Sequence, residues 1–146
     1  MVKACRDIPG QELFQYYDAD GSIKSIDSGM VNNYIKEICS GQFTAKDFRT
    51  WTGTIMAFLA FKKIGAFESI AEAKRNILAA LDIVSKQLGN TRNVCKKYYV
   101  HPILLKMYEA GTLATYFSKL DKGHLNNLAS GLSPEEQMVI KILKSS

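Results

Sequence analysis

Apolar side chains recur every three or four positions along most of this chain, which is the spacing of helices with one buried face. Up to about Asp27 the pattern is irregular. Turn signals at Pro9-Gly10 and Asp20-Gly21 surround a short apolar stretch with Leu13, Phe14, Tyr16 and Tyr17. From Ser28, the positions Met30, Val31, Tyr34, Ile35 and Ile38 predict a helix that Ser40-Gly41 closes. Thr44-Ala-Lys-Asp47 has the form of a capping box, with a threonine and an acid three residues later. It opens a helix whose face runs through Phe48, Trp51, Ile55, Phe58, Leu59 and Lys62 to Gly65. Ser69-Ile-Ala-Glu72 opens another through Ile77, Leu81 and Val84 to Leu88, and Gly89-Asn90 stops it. Thr91 to Lys97 has room for one or two turns, and Pro102 suits the first turn of a helix through Leu104, Leu105 and Tyr108. Gly111, Gly123 and Gly131 punctuate the remainder. Ser133-Pro-Glu-Glu136 starts a last helix through Met138, Val139, Ile142 and Leu143. The expected fold class is mainly α, as one domain over residues 1–146 without repeats or linkers.

Composition narrows this further. With 146 residues, 47% of them hydrophobic and 23% charged, the chain has enough apolar surface for a core of its own. No apolar run approaches the roughly 20 residues that span a bilayer, and the start MVKACRDIPG lacks the apolar middle of a secretory signal. A cytoplasmic, nucleoid-associated protein that does not engage membrane is expected. The net charge of +5, with Arg92, Lys96 and Lys97 clustered, favours an acidic partner, nucleic acid first. Charge of that size does not decide the matter alone. Cys5, Cys39 and Cys95 are odd in number and far apart, and His101 and His124 are isolated, so neither disulfides, a metal site nor a cofactor is expected.

Two segments carry more specific chemistry: Phe43-Thr-Ala-Lys-Asp-Phe-Arg-Thr-Trp51 and Leu88-Gly-Asn-Thr-Arg-Asn-Val-Cys-Lys-Lys-Tyr-Tyr-Val-His-Pro102. Both resemble the type IB DNA topoisomerases of poxviruses and bacteria. In that family a KDxRT helix start holds a phosphate-clamping arginine, and a G(H/N)T turn lies shortly before a nucleophilic tyrosine. The resemblance runs from Ile8-Pro-Gly-Gln-Glu-Leu-Phe14 to at least Leu105 with order and spacing kept, and is weak in the last third. Two linked motifs in the right order are far more specific than either alone. The resemblance implies the helical C-terminal part of the catalytic domain of the DNA breaking-rejoining fold, which type IB topoisomerases share with tyrosine recombinases. It also implies a duplex DNA substrate, and the chain is expected to be monomeric.

The resemblance also assigns roles. Arg49 matches the KDxRT arginine. Its planar guanidinium would hold nonbridging oxygens of the scissile phosphate as charge grows there. Without the motif, Arg49 reads as a surface arginine paired with Asp47 or Glu68. Asn90 falls where poxvirus-like members have histidine and bacterial ones asparagine, and its amide can donate to the same phosphate without titrating. The bacterial pattern YIHP aligns with Tyr99-Val-His-Pro102, making Tyr99 the nucleophile and Tyr98 its neighbour. Lys46 is a phosphate contact or proton-relay candidate. Arg92, Lys96 and Lys97 are candidate DNA contacts, although exposed basic residues are often merely solvated.

The implied reaction is relaxation of supercoiled DNA without ATP: attack by tyrosine makes a 3′-phosphotyrosyl link that stores the bond energy for resealing. The family also uses an arginine and a general-acid lysine on an upstream hairpin, and Lys3 to Asp7 do not resemble those segments. The expectation is therefore a part of a longer enzyme, inactive or nearly so by itself. Two other readings compete. Recombinases and integrases usually carry His-x-x-Arg-His and Leu-Gly-His where this chain has Lys46-Asp-Phe-Arg-Thr50 and Leu88-Gly-Asn90. A noncatalytic helical DNA-binding module would need only the basic face and would give Tyr99 no role.

Overall fold

The computed structural model describes residues 14–121 and 131–145. The Pro9-Gly10 turn, Leu13, the segment from Lys3 to Asp7, Gly123 and His124 lie outside the described residues. The chain divides into two units, Met1–Asp47 and Phe48–Ser146.

In the first unit the stretch expected to be irregular contains an antiparallel hairpin, β1 (Gln15–Tyr17) paired with β2 (Ile23–Ser25). Its loop uses the anticipated Asp20-Gly21 signal, with Gly21 at φ +79°. Three residues per strand are too few to leave a readable alternation in the sequence. Asp18 organises the loop. Its backbone N–H donates to the Ser22 carbonyl at 2.9 Å, and its carboxylate receives Lys24 and is thereby held below the usual carboxylate range. Helix α1 (Ser28–Cys39) follows, capped by Asp27, whose carboxylate accepts from the Met30 N–H at 2.8 Å, and ended by Ser40 at φ 50°. The apolar stripe read for this helix is present, but α1 buries none of its residues, and Tyr34 and Ile38 are exposed.

Helix α2 (Ala45–Ile64) begins as the capping signature predicts, in modified form. The Asp47 carboxylate accepts from the Thr44 N–H at 2.8 Å and from the Thr44 hydroxyl at 2.7 Å, so the threonine donates where a full box would have it accept.

In the second unit α2 packs with α3 (Ile70–Leu88), α5 (Pro102–Glu109), α6 (Leu113–Asp121) and α7 (Pro134–Lys144) around one apolar cluster. Phe58, Phe61, Leu81, Leu104, Leu113, Met138 and Ile142 are fully buried there. The buried face of α2 differs from the expected stripe: Gly53, Thr54, Ala57, Phe58, Ala60 and Phe61 are inside, while Phe48 and Leu59 are exposed. Apolar residues are spread round this helix, so large side chains alone do not mark the face that packs most closely. Tyr108 stacks on Phe61 with centroids 4.2 Å apart. Its hydroxyl donates to the Gly65 carbonyl at 2.8 Å and accepts from Asn76 at 3.0 Å.

The predicted helix ends hold elsewhere. Ser69 caps α3, Gly89 at φ 63° ends it, and Ser133 with Glu136 forms a complete capping box at α7. Glu136 also accepts from the Trp51 indole at 3.2 Å, tying α7 to α2. Between α3 and α5 the chain makes a short turn, α4 (Arg92–Val94), and then a π-helix, π1 (Cys95–Tyr99). The described residues are thus mainly helical. None of their helices is long and apolar enough to cross a membrane.

Candidate active site

The site forms where π1 and the end of α3 meet α2. Arg49 leaves the second turn of α2 and places its guanidinium carbon 5.0 Å from the centre of the Tyr99 ring. One of its terminal nitrogens donates to the Leu88 carbonyl at 2.7 Å. The Asn90 side-chain amide donates to that same carbonyl at 2.9 Å. Leu88 ends α3, where the last four carbonyls have no partner within the helix, so both contacts also satisfy a helix terminus. Arg49, Asn90 and Tyr99, separated by up to 50 positions in sequence, are brought together with two donors on one oxygen.

The tyrosine is held from behind by its main chain. The π1 turn closes with the Val100 N–H donating to the Cys95 carbonyl at 2.9 Å, and π-turns are frequent at functional sites. Val100 and Cys95 point into the core, and burial pushes the Cys95 thiol up while the nearby Arg49 charge opposes it. That leaves Cys95 an inert packing thiol. The π1 backbone then rests on α2. The Thr50 hydroxyl reaches the Tyr98 carbonyl at 3.3 Å, and the Thr54 hydroxyl lies 3.3 Å from the Tyr99 carbonyl. Gly53 allows this approach, since a Cβ there would stand 2.7 Å from the Tyr99 carbonyl oxygen.

Residues 1–129 match the family of the eukaryotic DNA topoisomerase I catalytic core. A DNA topoisomerase 1B of Acanthamoeba polyphaga mimivirus is 33% identical over 115 residues, covering 74% of this chain. The chain belongs to the type IB topoisomerase family. It spans about a third of that viral relative, 34% of its length.

The remaining candidates in this topoisomerase chain scatter. Arg92 makes a forked ion pair with Asp82, Nε to Oδ1 at 2.6 Å and a terminal nitrogen to Oδ2 at 2.7 Å, which lowers the Asp82 carboxyl and raises the guanidinium. Lys97 sets its ammonium 5.1 Å from the centre of the half-exposed Tyr98 ring. Lys96 instead borders a groove between α3 and α5 with Lys74 and Lys106. The cluster that looks continuous in sequence therefore points in three directions. Lys46 stands exposed in the first turn of α2, beside Asp47, whose carboxyl is lowered chiefly by its hydrogen bonds from Thr44 and only slightly by the Lys46 charge.

Sequence reasoning missed Thr50, Gly53 and Thr54. A glycine inside a long helical pattern was the available signal, because such a residue weakens the helix and implies a close approach. Among the described residues no group of histidine, cysteine and carboxylate side chains could hold a metal ion.

Proposed function

We propose that this chain supplies the nucleophile and phosphate clamp of a type IB DNA topoisomerase, acting on duplex DNA within a longer polypeptide. In this reading the Tyr99 phenolic oxygen gives up its proton and bonds to the scissile phosphorus as the P–O5′ bond breaks, and the departing 5′ oxygen takes up a proton to leave as a hydroxyl. The 3′-phosphotyrosyl ester so formed is reversed by that same 5′ hydroxyl. Bond energy is conserved in the ester, so relaxation proceeds without ATP. Arg49 and Asn90 donate to the nonbridging oxygens, where negative charge develops. Lys46 is assigned a phosphate contact in the same helix start. Lys96 and Lys97 are assigned to the DNA backbone outside the reacting phosphate. Arg92 would join them through the N–H donors left over from its two bonds to Asp82. The protein is expected to act as a monomer in the DNA-bearing compartment.

One observation carries the reading: the guanidinium of Arg49 and the amide of Asn90 converge on a single oxygen beside Tyr99. A helical DNA-binding module would not require a guanidinium over a tyrosine ring. Of the two tyrosines, Tyr99 is favoured because Arg49 lies over it, whereas Tyr98 is half-exposed beside Lys97. The test is mass detection of a DNA adduct on the full-length protein. Tyr99→Phe abolishes the adduct and keeps DNA affinity, since only the nucleophilic oxygen is lost. An adduct that persists in Tyr99→Phe and vanishes in Tyr98→Phe would transfer the role to Tyr98.

A further inference from the structure

We propose that Thr54 is a positioning residue for the nucleophile, its hydroxyl fixing the main chain of Tyr99 against the helix that carries Arg49. The inference rests on the roles of Tyr99 and Arg49 given above.

Thr54 is 2% exposed and sits on α2 beside Gly53. Its hydroxyl oxygen has three neighbours. It donates to the Thr50 carbonyl at 2.8 Å, the usual back-bond of a helical threonine, and lies 3.3 Å from the Tyr99 carbonyl. It accepts from the His101 N–H at 3.2 Å. A hydroxyl has one hydrogen and two lone pairs, so the donor is shared between the two carbonyls while a lone pair takes His101. One oxygen therefore touches the peptide groups on both sides of Val100, the residue directly after Tyr99.

This hydroxyl is not needed to satisfy Thr54 itself, because the Thr50 carbonyl already does so. Its place is explained by the segment it meets. His101 caps α5, and its N–H points away from that helix, so it needs an acceptor from elsewhere. The Val100 side chain is buried beneath, and the Val100 N–H closes π1. With the Thr54 contacts added, the backbone after the phenol is tethered at Tyr99, Val100 and His101. Arg49 and Thr54 belong to one helix, so the offset between clamp and nucleophile is set by rigid helical geometry. In-line attack on phosphorus is sensitive to such offsets, and a displacement of about 1 Å costs on the order of 10²-fold in rate.

The experiment uses the full-length protein and a duplex whose departing strand, the one that bears the new 5′ hydroxyl, diffuses away, so that a single cleavage is timed. Thr54→Val keeps the shape and removes every hydrogen bond of the hydroxyl, and Thr54→Ser keeps the hydroxyl. The expected result is cleavage slower by about tenfold to 10²-fold in Thr54→Val, with unchanged DNA affinity. Religation, timed separately by adding a 5′-hydroxyl strand to the adduct, slows by the same factor, because one transition state serves both directions. Thr54→Ser returns near-wild-type rates. Wild-type cleavage by Thr54→Val overturns the proposal. So does an equal loss in the valine and serine variants, which would mean that packing alone matters. If the valine variant melts below the assay temperature, Thr54→Ala is judged by the same criteria. An adduct that survives Tyr99→Phe would instead remove the nucleophile assignment, a separate outcome read in the same assay.

Discussion

Replacing Gly53 by alanine adds one methyl group where the structure leaves no room. The new carbon would lie 2.7 Å from the Tyr99 carbonyl oxygen, 3.1 Å from the Tyr99 Cβ and 3.3 Å from a Leu88 methyl. Close carbon-oxygen contacts normally stop at about 3.3 to 3.6 Å. Either the tyrosine backbone retreats by about half an ångström or α2 bends away. Overpacking of this kind costs about 1 to 3 kcal/mol. Alanine in a helix interior returns about 1 kcal/mol relative to glycine. The net loss of stability is therefore small, roughly 0 to 2 kcal/mol, and a modest shift in a urea transition is expected. The loss of activity is larger in proportion. With Tyr99 in the proposed role of nucleophile, a half-ångström retreat corresponds to about a tenfold slower single-turnover cleavage by the full-length protein. An alanine variant that is more stable by the full helix-propensity gain, and cleaves at the wild-type rate, would show that α2 and π1 do not approach this closely.

Three further outcomes are expected. Arg49→Lys is almost as damaging to plasmid relaxation as Arg49→Ala, on the order of 10²-fold or more, because a point ammonium cannot reproduce a planar fork on phosphate oxygens. Near-normal relaxation by the lysine variant refutes that role. The isolated 146-residue chain binds duplex DNA weakly and with steep salt dependence and does not relax supercoils, as the motifs matched here provide no general acid for the 5′ oxygen; robust relaxation by the purified chain sinks this expectation. Last, the Glu136 carboxyl is lowered by the Ser133 N–H and then by the Trp51 indole, so the stability it confers is complete above its unfolded value. That stability is lost as pH falls through the lower folded value. Glu136→Gln is therefore expected to flatten the acid side of a stability-pH profile, and an unchanged profile would exclude the linkage.

The helix boundaries were legible because capping is local: Ser69, Gly89 and Ser133 each act on residues within a few positions. Arg49, Asn90 and Tyr99 were singled out in the sequence only through two linked motifs. The convergence of Arg49 and Asn90 on the Leu88 carbonyl joins positions 49, 88 and 90, and no periodicity encodes that contact. Gly53 and Thr54 escaped for a related reason. Small residues leave no hydrophobic signature, yet they decide where two backbones can touch. The π-helix at Cys95–Tyr99 has no signature of its own either, since its register accompanies the docking of Tyr98 and Tyr99 on α2. Arg92 was read as a candidate DNA contact, and its ion pair with Asp82 escaped the sequence because Asp82 lies ten positions away across a helix stop.

The shared acceptor at Leu88 bears on how the site is prepared for phosphate. A guanidinium carries five N–H donors and a side-chain amide two, so one bond each to Leu88 leaves most of that capacity unused. The carbonyl therefore aims the two groups without occupying them. A phosphate oxygen is charged and makes hydrogen bonds roughly twice as strong as a neutral carbonyl does, so it can recruit the remaining donors while the Leu88 bonds stay in place. Because those bonds also satisfy the end of α3, a movement that takes both Arg49 and Asn90 away leaves the Leu88 carbonyl without either donor, which resists the movement. On the proposed roles of Arg49 and Asn90, these groups would be held in place before DNA arrives, through the ordinary termination of α3.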